Sequence, residues 1–326
     1  MHHPDLNTFC RLAENHQLIP VYRRLVSDTL TPVTAFHKID TGGSACLFES
    51  VIGGERVGRY SFLASEPFLE MTARGTDVAI TEGGVTRRST VADPLQTLRQ
   101  LLNEPKAALL PELPPFGGGA VGYAGYDVVR YVENLPNAPP DDRGLPDLAF
   151  GFYDRMVVFD NVDKTMYVVV MARVGGPADA ERAYTEAQRR VDQTVAELTD
   201  TPVTLQSTDI HPVGEASIPY RSNFRQEEFE DAVRKCVRYI QAGDIFQVVI
   251  SQRLELELRV DPFEIYRTLR VVNPSPFMFF LRTGDVTLVG SSPEIMCRVV
   301  GGKVTVRPLA GTRRRGATEE DDRRLA

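Results

Sequence analysis

Three short segments hold the residues best placed to do chemistry. In Asn273-Pro274-Ser275-Pro276-Phe277-Met278-Phe279-Phe280 two X-Pro steps hold the backbone extended. Proline has no N–H, so carbonyls around it tend to stay outside a sheet ladder. Free carbonyls beside Phe277 and Met278 can hold an ammonium group and a flat apolar body. The same run also reads as a strand entering the core, the usual fate of an apolar stripe. In Arg307-Pro308-Leu309-Ala310-Gly311-Thr312-Arg313 a strand ends in Ala-Gly-Thr. Gly311 permits close backbone approach, and amides with the Thr312 hydroxyl can bind a carboxylate. The competing reading is a strand-to-loop turn before a solvated basic run, Arg313 to Arg315. Leu47-Phe48-Glu49-Ser50 alone reads as a strand end with polar residues leaving the core.

Other chemistries find little support. Cys10, Cys46, Cys236 and Cys297 are scattered, with no C-x-x-C pair and no Cys/His cluster, so neither a zinc site nor a disulfide framework is indicated. Such cysteine usage fits a reducing cytoplasm. No histidine follows His211, so the later part of the sequence has no general base of that type. Glu319 to Asp322 reads as a solvated helix start, where acidic residues are favoured. The 37 basic and 44 acidic residues give a net charge of −7, which argues against nucleic acid as a partner. No apolar run approaches the length of a membrane span, and Met1-His2-His3-Pro4-Asp5 does not open a secretory signal.

The elements that must position these segments follow from periodicity. Residues 7–30 carry a helical pattern that Pro20 should break. Residues 33–36, 45–50, 56–65 and 68–72 read as strands, and 91–102 as a helix. Glycines packed among aromatics in 116–127 suggest backbone lying directly on backbone. Residues 156–160 and 166–173 form a hairpin around Asn161 to Lys164. Residues 178–198 form a helix with Ala183, Ala187, Val191 and Val195 on one face. A Thr/Ser/Pro-rich stretch, 199–218, reads as a linker. A helix then starts after Ser222 or Asn223, carries Phe229, Val233, Val237 and Ile240 on one face, and ends at Gly243. Residues 245–250 read as a buried strand, 262–271 as a helix, and 286–290 and 295–300 as strands. Gly301-Gly302 turns a hairpin into 303–307. Strands and helices mix without βαβ alternation, so the fold class is α+β.

The three segments occur together with Gly243 to Arg253 (GDIFQVVISQR) and Gly290-Ser291-Ser292-Pro293-Glu294. In this order and spacing, from about residue 18 onward, the chain resembles component I of anthranilate synthase, a chorismate-utilising enzyme. The resemblance implies a four-layer α/β/β/α sandwich, here incomplete at the C-terminus. It implies an N-terminal region over 1–198, a linker over 199–218 and the first part of a chorismate-binding region over 219–326. The implied reaction is that of a lyase opening tryptophan biosynthesis: chorismate plus ammonia gives anthranilate and pyruvate, with Mg2+. The ammonia comes from glutamine through a separate amidotransferase subunit. By the same resemblance Gly311 and Thr312 contact chorismate. Ser50, Pro276, Phe277 and Met278, with Glu49 beside them, form a tryptophan feedback site.

The family pattern runs on past Gly316. The resemblance therefore implies a truncated chain whose Mg2+ ligands and proton-transfer residues lie beyond residue 326, with no catalytic residue or metal ligand within it. Two other readings stand beside this one. In aminodeoxychorismate synthase many members carry a Lys where this chain has Ala310, and a Lys there serves as a nucleophile. The third reading is a tryptophan-binding fragment without catalysis.

Overall fold

The computed structural model describes residues 1–326 apart from 52–57, 104, 211–217, 285, 309–313 and 326. The chain opens with α1 (Leu6–Ala13), β1 (Leu18–Val26), α2 (Pro32–Ile39), β2 (Ala45–Glu49) and β3 (Tyr60–Ser65). There follow β4 (Leu69–Arg74), β5 (Asp77–Glu82), β6 (Val85–Thr90), α3 (Pro94–Asn103), β7 (Gly119–Ala124) and β8 (Leu148–Tyr153). Next come β9 (Arg155–Asp160), β10 (Thr165–Arg173), α4 (Ala180–Asp200), β11 (Arg221–Ser222), α5 (Gln226–Ala242) and β12 (Leu254–Glu255). The last elements are α6 (Pro262–Val272), β13 (Phe277–Thr283), β14 (Val286–Ser292), β15 (Arg298–Val300), β16 (Lys303–Thr305) and α7 (Glu319–Leu325).

Backbone packing separates two units, Met1–Asp209 with Pro262–Pro293, and Ile210–Asp261 with Glu294–Ala326. The first holds a seven-stranded sheet, in order β1-β10-β9-β3-β2-β13-β14, and a five-stranded sheet, β6-β5-β4-β8-β7. Every ladder is antiparallel. Alternation along the strands sorts the large sheet's side chains into two faces. Ile19, Val21, Leu47, Leu63, Val168 and Phe280 are buried with Phe9, Phe36, Val191 and Tyr266 from the helices α1, α2, α4 and α6. Tyr22, Cys46, Ala64, Val158 and Val169 are buried on the other face against Tyr153, Val121 and Tyr123 of the second sheet. The far face of that sheet, with Leu69, Met71, Leu148 and Phe152, meets Leu95, Leu98 and Leu101 of α3. The four layers α/β/β/α and the α+β class are as the sequence leads one to expect. Each fully buried aliphatic side chain here contributes roughly 1.5–3 kcal/mol.

The glycine-rich segment brings backbone onto backbone as anticipated. Gly122 pairs with Phe150 of β8, and a Cβ on Gly122 would fall on the Ala149 carbonyl. Two elements depart from the sequence reading. Residues 33–36 are helical: Thr31 caps α2 with a reciprocal Thr34 bond, and Pro32 starts it, which outweighs the strand preference of Val33 and Phe36. The second half of the 7–30 pattern is the strand β1, and Pro20 sits inside it. β1 is an edge strand. Tyr22, two residues on, turns its N–H outward to the His3 carbonyl (2.7 Å), so the Pro20 nitrogen also faces away from the ladder with β10.

The second unit contains α5, α7 and two short ladders, β11-β12 and β15-β16. Gly243 ends α5 in a left-handed conformation (φ 83°). The cap at its start is Arg225, paired with Glu228, and neither Ser222 nor Asn223. The expected buried strand at 245–250 is absent. Phe246 and Val249 are exposed, and no ladder forms there among the described residues, since a strand needs a hydrogen-bonding neighbour. Among the described residues no helix is long and apolar enough to cross a membrane.

The β9–β10 hairpin depends on one buried carboxylate. Asp160 accepts the Val162 and Asp163 N–H groups, both at 3.1 Å, and is ion-paired with Arg59 at 2.7 Å. Burial favours its neutral form, but Arg59 and the two N–H groups outweigh burial and hold its pKa below the usual carboxylate range. The folded value lies below the unfolded one. The stabilisation is therefore complete above the unfolded value and is lost as pH falls through the folded value. Asp160→Ala should lower stability by about 1–3 kcal/mol at neutral pH. Urea denaturation should show that difference shrinking on acidification below about pH 4.

Candidate functional site

β2 and β13 are far apart in sequence and adjacent in space. Their register pairs Met278 with Glu49 and Phe279 with Phe48. One end of this strand pair therefore gathers Glu49, Ser50, Pro276, Phe277 and Met278, five of the residues singled out by sequence. Beyond the paired register the segments stay together, since Val51 N–H donates to the Ser275 carbonyl at 3.2 Å. The Ser275 hydroxyl in turn accepts the Phe277 N–H at 3.2 Å. Two carbonyls of the proline segment thus differ from expectation in not being free. Ser275 O is taken by Val51, and Asn273 O accepts the Ser291 hydroxyl at 2.6 Å.

Glu49 is the charged centre of this end. It is 5% exposed, yet it sits in the core layer between the large sheet and α6. Tyr266 Oη donates to Glu49 Oε2 at 2.6 Å. Arg270 Nη2 donates to Oε1 at 2.9 Å, and its Nε lies 2.7 Å from Oε2. Tyr266 and Arg270 are four residues apart, so they share one face of α6. Tyr266 is wholly buried against Phe263 and Phe280, with ring centroids at 5.9 and 6.1 Å. Burial, and then the Glu49 charge beside it, push the Tyr266 phenol well above its usual pKa, so it stays a donor.

A buried carboxylate beside apolar side chains has the chemistry to receive a cation. A carboxylate accepts about four hydrogen bonds; Glu49 accepts two, beside the close ion-pair contact of Arg270 Nε, which leaves capacity for a further donor. Ser50 Oγ is buried and, among the described residues, has no hydrogen-bond partner. Met278 is fully buried, while Pro276 and Phe277 are half-buried. Gly311 and Thr312, with the rest of 309–313, lie outside the described residues. Sequence reasoning passed over Tyr266 and Arg270. Their only signal was a polar pair at helical spacing just ahead of the Asn-Pro-Ser-Pro segment.

A family model described as chorismate binding enzyme matches residues 45–326. The chain is 39% identical to anthranilate synthase component 1 of Acetivibrio thermocellus, with all of this chain and 66% of the relative covered. It is 40% identical to the chloroplastic anthranilate synthase alpha subunit 1 of Arabidopsis thaliana, covering 98% of this chain and 57% of the relative. Among solved structures, it is similar to anthranilate synthase component I from Streptococcus pneumoniae TIGR4. The TM-score is 0.61 at 30% identity, over 87% of this chain and 60% of the other. The chain spans less than two thirds of the length of these relatives.

Removing the Glu49 carboxylate strands both of its partners. Glu49→Ala should lower stability by about 2–3 kcal/mol, because the buried Tyr266 hydroxyl and the Arg270 charge lose their acceptor together. Glu49→Gln keeps an acceptor and should cost less. Urea denaturation of the two variants checks this, and equal losses would show that the carboxylate does not anchor α6.

Proposed function

The chain belongs to the chorismate binding enzyme family, and from that premise we propose that it serves in the large subunit of an anthranilate synthase. That enzyme converts chorismate and ammonia to anthranilate and pyruvate, the first step of tryptophan biosynthesis. The observation that carries the reading is identity near 40% to anthranilate synthase large subunits along essentially the whole chain. The fold likeness at 30% identity supports it. Ala310 also favours it over aminodeoxychorismate synthase, since alanine offers no nucleophile for a covalent step on the ring. Without such a nucleophile, ammonia attacks the ring directly. We assign Gly311 and Thr312 to a carboxylate contact with chorismate, and a glutamine amidotransferase subunit to the supply of ammonia. Free, scattered cysteines suit a cytoplasmic setting.

Mg2+ is the metal this chemistry calls for, as a Lewis acid that draws off charge when the ring hydroxyl leaves. Among the described residues no three His, Cys, Asp or Glu side chains converge as a metal group, so these residues do not fit such a site. We assign to this chain the binding and orienting of chorismate.

We place feedback by tryptophan at the β2–β13 end. The open capacity of Glu49 suits an ammonium group, the Ser50 hydroxyl, without a partner among the described residues, a further hydrogen bond, and the apolar run Pro276-Phe277-Met278 an indole. Feedback of this kind is a coupling between tryptophan and chorismate binding and is reciprocal.

Anthranilate fluorescence tests both readings. The enzyme carrying this chain should form anthranilate from chorismate and Mg2+ with ammonium, and with glutamine once the amidotransferase is added. Formation of aminodeoxychorismate in place of anthranilate would overturn the proposal. Ser50→Phe should raise the tryptophan concentration for half-inhibition by roughly ten-fold or more, with a much smaller change in kcat. Equal loss of inhibition and turnover would make Ser50 a structural residue.

A further inference from the structure

A cavity of about 460 Å3 opens in the first unit and shares no residue with the Glu49 end. Its size falls in the range of roughly 300–1,000 Å3 typical of small-molecule sites. Three of its walls are aromatic. Phe68 and Phe152 meet edge to face, with centroids 6.3 Å apart, and Phe116 is braced on Phe62 at 6.1 Å. Between them Gly118 and Gly119 leave bare backbone. A Cβ on Gly118 would lie 2.7 Å from the Met171 side chain. Gly119 has φ +134°, and a Cβ there would lie 3.3 Å from the Phe116 ring. Glycine at both positions is what keeps this wall flat.

The charged lining residues are unequal. Asp154 is held by both terminal nitrogens of Arg190, at 2.8 and 2.7 Å, so its charge is matched. Glu82 is exposed beside the Gly83-Gly84 turn, where water and salt screen it. Arg173 is exposed as well, but it is held against a ring. Its guanidinium lies over the Phe68 ring, 5.3 Å from the centroid, and among the described residues it forms no ion pair. A guanidinium resting on a ring face keeps its in-plane N–H groups for a planar, two-oxygen acceptor.

We propose that this cavity binds a planar aromatic carboxylate, with its ring among Phe68, Phe116 and Phe152 and its carboxylate on Arg173. The flat walls select a ring over a branched aliphatic body. The cation selects an anion over a neutral or positively charged ligand. The site is separate from the tryptophan site proposed above and does not depend on it.

The probe is 2-naphthoate, titrated into the chain and followed by its own fluorescence, which no protein tryptophan obscures. Saturable one-site binding is expected. Arg173→Gln should weaken it at least five-fold while changing the affinity for neutral 2-naphthol less than two-fold. Ala107→Phe, at the exposed mouth of the cavity, should abolish binding of both compounds. Glu82→Gln and Ser50→Phe should each leave naphthoate affinity within two-fold. Absence of saturable binding overturns the proposal, as does naphthoate affinity unaffected by Arg173→Gln. So does a loss caused by Glu82→Gln, which would show that the site does not read the probe's negative charge, or by Ser50→Phe, which would move the probe to the other site.

Discussion

The pairing of β2 with β13 is the constraint on which the rest of the first unit depends. It joins segments more than two hundred residues apart, and Glu49 reaches Tyr266 and Arg270 across the same gap. Closing so long a loop costs conformational entropy, though the cost grows only with the logarithm of length. Repayment comes from a five-residue register, from Met278 and Phe280 entering the core, and from the buried ion pair. With β13 in place, α6 has a sheet to lie on, β14 has a neighbour, and the Asn-Pro-Ser-Pro turn has a fixed exit. Without it β2 becomes an edge, and the polar end carrying Glu49 and Ser50 faces nothing.

The two buried carboxylates of the large sheet do different work by the same means. Asp160 and Glu49 both end a strand, and each is matched by an arginine and satisfied by further donors. Asp160 spends its remaining oxygen on the backbone of its own turn, so it acts locally. Glu49 spends its bonds on side chains of another element, so it ties distant parts together. A buried carboxylate with all its bonds inside one hairpin is a turn device. One that bridges two elements is a tie between them.

Legibility in the sequence followed how local each determinant was. The helix α4 was visible because Ala183, Ala187 and Val191 repeat at its own period, and the β9–β10 hairpin because Asn161 to Lys164 names its turn. The strand segment at 33–36 was misread because the cap of α2 lies in Thr31 and Pro32, just outside the apolar window. The run at 245–250 was misread because apolar content says nothing of whether a neighbouring strand exists. The Leu-Phe-Glu-Ser and Asn-Pro-Ser-Pro-Phe-Met segments were legible as a pair only through their joint order along the chain. That they touch depends on sheet register. Tyr266 and Arg270 gain meaning only from that contact, so nothing in their own neighbourhood announced them.

The margin of the large sheet at β1 has a consequence for assembly. Its outward-facing backbone is spoken for at Leu18 by Lys106 and Ala108 and at Tyr22 by His3, and at Pro20 there is no N–H to offer. A foreign strand arriving here finds three successive docking positions closed. Among the described residues the first half of this border, from Leu18 to Tyr22, is thus closed to strand addition.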